Sequence, residues 1–239
     1  MKKFWGFLLV IVLMTSCGEY QSLLKSNDYN LVYKKAIEYY NKGDYQRAMN
    51  LLDGVRSVFV GQAKAQNIAY YRAFCSYNMK DYQIASDLFK QFIQTYPESS
   101  FAEECLYMMG FCDYKASPKP RLDQQVTEKA IREFQLYLSR YPYSMRKDKV
   151  NTYMDEMRDK LSYKAYLSAK NYYLREHYKA AVISLQNCLK DYPGSKYREE
   201  IMYMLFVSKY QMAVNSVEDK KVERYNNARE EYYYFADEY

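Results

Sequence analysis

The chain has little of what punctuates a polypeptide: 7 glycines and 5 prolines in 239 residues. That leaves too little turn chemistry for a fold of many short strands. Histidine occurs once, as His177, and tryptophan once. No His, Cys, Asp or Glu cluster has metal-ligand spacing, no glycine-rich phosphate loop is present, and no nucleophile has an evident base beside it. The sequence therefore offers nothing for an enzyme to work with and implies no cofactor. Charge is nearly balanced, at a formal +6. Without Lys2 and Lys3 the chain has 33 Lys+Arg against 29 Asp+Glu, a small surplus spread along its length, which argues against nucleic acid as a partner. What is abundant is Ala, Leu, Met, Lys, Glu and Gln, the helix formers, so the fold class is all-α. Tyrosine is in excess at 31 residues. A core alone does not need so many, so some of them line surfaces where a ring with a polar tip is useful.

The N-terminus reads as targeting. Lys2 and Lys3 precede the apolar run "FWGFLLVIVLM", too short to span a bilayer and so a signal peptide. "TSCG" follows at once, a placement that resembles the bacterial lipobox with Cys17 as the acylated first residue; the alternative is a stray cysteine in a secretory leader. The expected organisation is a lipoprotein signal peptide over 1–16, a lipidated tether over 17–27 and a folded domain over 28–239. The other cysteines, Cys75, Cys105, Cys112 and Cys188, lie in helical patterns among apolar neighbours. They read as small buried hydrophobes. Cys105 and Cys112, seven positions apart on one helix, stand roughly 10 Å apart at 1.5 Å per residue and cannot bridge.

"KDYQIASDLFKQFIQTYP" from Lys80 has near copies along the chain. Their small residues are Ala48, Ala85, Ala130, Ala181 and Ala228. One turn later on the same face stand Leu52, Phe89, Phe134, Leu185 and Tyr232. Eleven residues after each Ala comes an aromatic (Phe59, Tyr96, Tyr141, Tyr192, Tyr239), and three of these are followed by a helix-stopping proline: Pro97, Pro142 and Pro193. A second set of helices lies between. "NLVYKKAIEYYN" (30–41) matches "NIAYYRAFCSYN" (67–78) at an offset of 37 throughout. Its register continues through Tyr107, Gly110 and Tyr114, then Tyr166, Ala169 and Tyr173, then Tyr203 and Tyr210. Ser100 with Glu103 reads as a capping box opening the third of these helices. Glu103/Glu104 and Glu199/Glu200 fall in first turns, where the helix dipole favours negative charge, and read as structural. His177 reads as a turn residue, where the sister repeats carry Asp44 and Asp81.

Helix pairs of this period, with small residues at the helix crossing and a closing proline, resemble the tetratricopeptide repeat. The resemblance implies a helical-hairpin solenoid of about five repeats, near 28–60, 65–97, 101–142, 161–193 and 196–239. "SPKPRLDQQV" (117–126) is expected as a loop inserted in the third, "YSMRKDKVNTYMDEMRDKLSYK" as a long helix, and the region of "NSVEDKKVE" as an insertion in the fifth. The ending at Tyr239, where a proline would follow, is read as a truncation. Solenoids stack because one helix pair cannot bury both of its apolar faces, and the stack is a binding surface. The tyrosine pairs 33/40, 70/77, 107/114, 166/173 and 203/210 admit two readings. They pack adjacent helices, or they form a ladder of rings that receives a peptide, with Asn30, Asn41, Asn67 and Asn78 bonding its backbone. On the second reading the peptide-binding residues are Tyr33, Tyr40, Asn41, Asn67, Tyr70, Phe74, Tyr77 and Asn78.

The lipobox, the short lead and the closures "YPESSFAEECLYMMG" and "YPGSKYREEIMYML" together resemble the BamD-type lipoproteins of the outer-membrane β-barrel assembly machinery. The resemblance implies a non-enzymatic subunit anchored through Cys17 to the periplasmic face of the outer membrane. It implies that the first repeats receive segments of unfolded outer-membrane proteins. Repeats four and five would dock on the periplasmic domains of a BamA-type barrel subunit, alongside the other assembly-machine lipoproteins. The rival class is a periplasmic repeat scaffold that coordinates cell-wall synthesis or envelope constriction. Such proteins usually bring an N-terminal coiled coil and lack a lipobox.

Overall fold

The structure, a computed structural model, describes residues 18–239. The leader expected over 1–16 and the acylation expected at Cys17 lie outside the described residues. Among the described residues there is no strand, and no helix is long and apolar enough to cross a membrane. A helical segment over 18–24 precedes ten helices: α1 (Tyr29–Asn41), α2 (Tyr45–Val55), α3 (Ala63–Asn78), α4 (Tyr82–Thr95), α5 (Ala102–Ala116), α6 (Gln125–Arg140), α7 (Lys147–Leu174), α8 (Tyr178–Asp191), α9 (Arg198–Val214) and α10 (Glu218–Glu238). They form two compact units. One comprises the residues up to Ser117 with Glu128–Lys147, the other Pro118–Thr127 with Asp148–Tyr239.

Each helix pair is made the same way. Ala48, Ala85, Ala130 and Ala181 are fully buried, as are Leu52, Phe89, Phe134 and Leu185 one turn on, so the stripe seen in the sequence is the buried stripe of the second helix. The turn inside a pair is also repeated. Gly43, Lys80 and Glu176 occupy corresponding places, each with φ between 60° and 81°. After each of them a backbone N–H reaches back five residues, Asp44 to Tyr39, Asp81 to Ser76 and His177 to Tyr172, closing the helix in a left-handed cap. Glycine suits that conformation at no steric cost, whereas Lys80 and Glu176 hold it against their own Cβ. His177 is the N-cap residue of α8, as Asp44 and Asp81 are of α2 and α4. The sequence reading of His177 as a turn residue holds.

In the first unit α1 to α5 pack in succession, α1 also touching α3. The core begins with Tyr20 and Leu23 of the 18–24 segment and runs through Ala36, Leu51, Leu52, Phe59 and Ile68. The segment read as tether is thus docked: Asn50 Nδ2 donates to the Tyr20 hydroxyl at 3.0 Å. Gly110 of α5 stands where its sisters carry Ala36 and Ala73. A Cβ there would come within 2.9 Å of the Phe134 ring of α6. In the second unit α7, α8 and α9 share a core of Tyr166, Ala169, Ala181, Leu185, Ile201 and Leu205. The long helix expected between repeats three and four is α7, 28 residues.

Three expectations change. No capping box opens α5: its N-cap is Phe101, with no side-chain cap, and Glu103 bonds elsewhere. The insertion expected near "NSVEDKKVE" is mostly helical, because helix α10 begins at Glu218. Ala228 is buried, but Tyr232 is exposed, since the described residues hold no further helix to cover that stripe. Cys75, Cys105, Cys112 and Cys188 are free and buried, and burial pushes the Cys75 and Cys105 thiols up to about 12. They are small core residues, as expected.

Candidate protein-binding surface

The first-helix tyrosines are engaged by the following helix pair. The Tyr70 hydroxyl donates to Glu104 Oε2 at 2.8 Å and the Tyr166 hydroxyl to Glu200 Oε2 at 2.6 Å, while Tyr33 bonds the Asn67 side chain. In each case the partner lies 34 residues on. The ring faces are covered as well. Phe101 lies 4.6 Å from Tyr70, Tyr197 stacks on Tyr166 at 4.4 Å, Lys64 sits over Tyr33 at 5.7 Å, and Arg146 sits over Tyr107 at 4.7 Å. Burial, then the Glu104 carboxylate, raises the Tyr70 hydroxyl well above the usual tyrosine range. The same two causes raise Tyr166.

Tyr40 and Tyr77, the second tyrosines of the first two pairs, pack inside their own hairpin and on the next. Tyr40 meets Tyr45 at 5.5 Å and Tyr71 at 4.9 Å. Tyr77 meets Tyr82 at 5.9 Å and Phe111 at 6.2 Å. Burial pushes Tyr40 up to about 12. Phe74 lies between Tyr70 at 4.5 Å and Phe89 at 5.0 Å. The asparagines are used too. Asn67 serves Tyr33, Asn78 donates to the Phe74 carbonyl at 2.8 Å, and Asn30 accepts from Lys64 at 2.5 Å; Asn41 is exposed.

Of the eight residues expected to bind peptide, seven are therefore gathered along one run of inter-helix contacts and Asn41 stands outside it. Tyr33, Tyr40, Tyr70, Phe74 and Tyr77 are half-buried. What they leave for a ligand is ring edges and the rim, not an open row of hydroxyls and amides. The residues that complete the joints, Glu104, Glu200, Phe101, Tyr197 and Arg146, were missed as partners. For four of them the signal was in the sequence, as recurrent offsets of 34 for the hydroxyl and 31 for the ring.

The second unit has two further features. A pocket of about 770 Å³ is lined by Arg121, Tyr163, Lys164, Tyr166, Lys170 and Tyr197, among others, with no acidic residue in its lining. The α9–α10 hairpin exposes Tyr203, Tyr210, Tyr232, Tyr233 and Tyr234, far more aromatic surface than scattered exposure explains. Lys209 is less open, its Nζ 2.6 Å from Glu231 Oε2. In the 117–126 loop, Gln124 Nε2 donates to the Lys119 and Leu122 carbonyls at 2.8 and 3.1 Å, which ties the insertion to its own backbone.

Among known proteins, the model of a family described as outer membrane lipoprotein, YfiO, matches residues 25–225. Among solved structures the chain is similar to the TPR2AB domain of yeast Sti1 in its pHSP90 complex. The identity is 12%, over 85% of this chain and 77% of that one, with a TM-score of 0.43. No curated protein matches.

Proposed function

The chain belongs to the YfiO family of outer membrane lipoproteins, and on that premise we propose that it is a non-enzymatic subunit of the outer-membrane β-barrel assembly complex. It scaffolds the complex and receives segments of unfolded outer-membrane proteins, held at the periplasmic face by acylation of Cys17. The observation that carries the reading is the extent of the family match, 25–225, which takes in nine of the ten helices whole and so all the joints just described.

Client segments meet the first two helix pairs at the rim formed by Asn41, Phe74 and Tyr77, with Tyr33, Tyr40, Asn67, Tyr70 and Asn78 fixing its shape from behind. A surface of ring edges with few free polar groups suits clients that share amphipathic character but not sequence. The BamA-type subunit docks on the second unit, where the tyrosines of α9–α10 provide large rigid contact area.

Site-specific photo-crosslinking in cells tests both assignments, with probes at Asn41 and Tyr77 and, separately, at Tyr234. Capture of nascent outer-membrane proteins at the first two and of a large barrel protein at the third is the expected result. Silence at Asn41 and Tyr77 with capture at Tyr234 removes the client role and keeps the scaffold. Capture of cell-wall synthesis proteins at Tyr234 overturns the assignment.

A further inference from the structure

Three turns between helix pairs share one pattern: Tyr-Pro at 96–97, 141–142 and 192–193, with a serine at Ser99, Ser144 and Ser195. In each the serine N–H bonds the tyrosine carbonyl at 3.0–3.2 Å, and the serine hydroxyl accepts the N–H two residues on. One backbone geometry therefore fixes which positions face solvent. The residue after the proline and the one after the serine point out; the next one covers a first-helix tyrosine.

In two turns the residue types obey that geometry. Glu98 and Ser100, and Gly194 and Lys196, take the outward positions, while Phe101 and Tyr197 cover Tyr70 and Tyr166. The middle turn is inverted. Arg146 covers Tyr107, and the outward positions carry Tyr143, which retains 97% of its accessible surface, and Met145, which retains all of it. Nothing in the fold requires large apolar side chains there, because the sister turns close with a carboxylate, a hydroxyl, a glycine and an ammonium. Beside them Arg140 and Lys147 are exposed, with Asp148 the next residue along the chain, while Arg146 is taken up by Glu104, 3.5 Å away.

We propose that this turn is a second membrane contact, in which Tyr143 and Met145 enter the interfacial layer of an anionic phospholipid surface while Arg140 and Lys147 face its phosphates. The turn is a protrusion, so its occupant is a surface that can be entered. Tyrosine is the ring that sits at the level of lipid headgroups, methionine is a flexible apolar side chain, and arginine and lysine keep their charge at the phosphates while their stems lie in the interface. A basic, apolar patch binds an anionic surface through its buried apolar area and through attraction to the phosphates. The family places the protein at a membrane; the turn adds which part of the fold meets it, independently of any role in barrel assembly.

The test uses the full chain, extracted from membranes and returned to vesicles, with Met145→Cys carrying an environment-sensitive fluorophore. The native cysteines Cys75, Cys105, Cys112 and Cys188 are buried. The expected result is a blue shift on phosphatidylcholine vesicles containing phosphatidylglycerol, quenched by nitroxide-labelled lipid, weakened by salt and by Tyr143→Ser. It is absent with the label at Glu98→Cys or Lys196→Cys. Tyr143→Cys, labelled likewise, repeats the measurement should the first variant fold poorly. A label that stays in water on these vesicles overturns the proposal. So does a shift that appears only when a protein partner is added, which makes the turn a knob for a protein pocket.

Discussion

Each unit contains a lysine that holds carboxylates between helices, and the two differ in depth. In the first, Lys129 Nζ lies 2.9 Å from Asp113 Oδ2 and 3.7 Å from Glu133 Oε1, and these carboxylates are 3% and 10% exposed. Ser86 Oγ also donates to Asp113 at 2.9 Å, and Glu133 Oε2 is buried without a hydrogen-bond partner. In the second, Lys170 Nζ lies 2.7 Å from Glu200 Oε1, a carboxylate 45% exposed, and also donates to the Tyr166 hydroxyl at 2.8 Å. Lys170 first, then Tyr166, lowers the Glu200 carboxyl below its usual range. Burial first, then the Asp113 carboxylate beside it, pushes Glu133 up to about 8. The same chemical types thus end in opposite states. Water supports the charge on Glu200, and its absence favours the protonated form of Glu133.

The sharpest way to break that comparison is to remove each ammonium. Lys129→Met leaves Asp113 without its cation in the core and should cost about 3–5 kcal/mol in urea unfolding. Lys170→Met, at an exposed pair, should cost about 1 kcal/mol or less. Equal costs would mean that water reaches the first cluster. The proton on Glu133 gives a second handle. The folded state binds a proton that the unfolded chain releases near the ordinary glutamate value, so the stability from this group is complete at low pH. It is lost as pH rises through about 8. Glu133→Gln should flatten the fall of the unfolding midpoint between about pH 5 and about pH 8; an unchanged slope places the titration elsewhere. Two glycines should differ in the sign of their effect. Gly110→Ala presses a methyl onto Phe134 and should destabilise by about 1–3 kcal/mol. Gly54→Ala, in a helix with nothing within 4 Å, should stabilise by about 0.5–1 kcal/mol. Calorimetric melting of the two variants checks the opposite signs.

The helices were legible because each carries its own stripe. The spacing of Ala85, Phe89 and Tyr96, closed by Pro97, fixes one face and one end without reference to anything distant. The tyrosine ladder was legible as a pattern but not as a state. Tyr70 could bind a ligand or a neighbouring helix, and the choice depends on Glu104 and Phe101, which the next pair brings to it. Glu103 shows the same limit. Its spacing from Ser100 suits a capping box, yet its Oε1 accepts from the Tyr137 hydroxyl at 3.0 Å and from Ser144 Oγ at 2.7 Å, because those groups arrive within reach once α6 packs.

The sequence by itself determined the helix pairs, their stops and their repetition, since these follow from backbone dihedral preferences and a 3.6-residue period acting over one or two turns. Only the tertiary structure decided which polar groups are spent in the joints, that burial raises the Glu133 carboxyl while Lys170 lowers that of Glu200, and that Tyr143 and Met145 are left exposed. Those outcomes depend on solvent access and on partners 20 or more residues away, which no local pattern specifies.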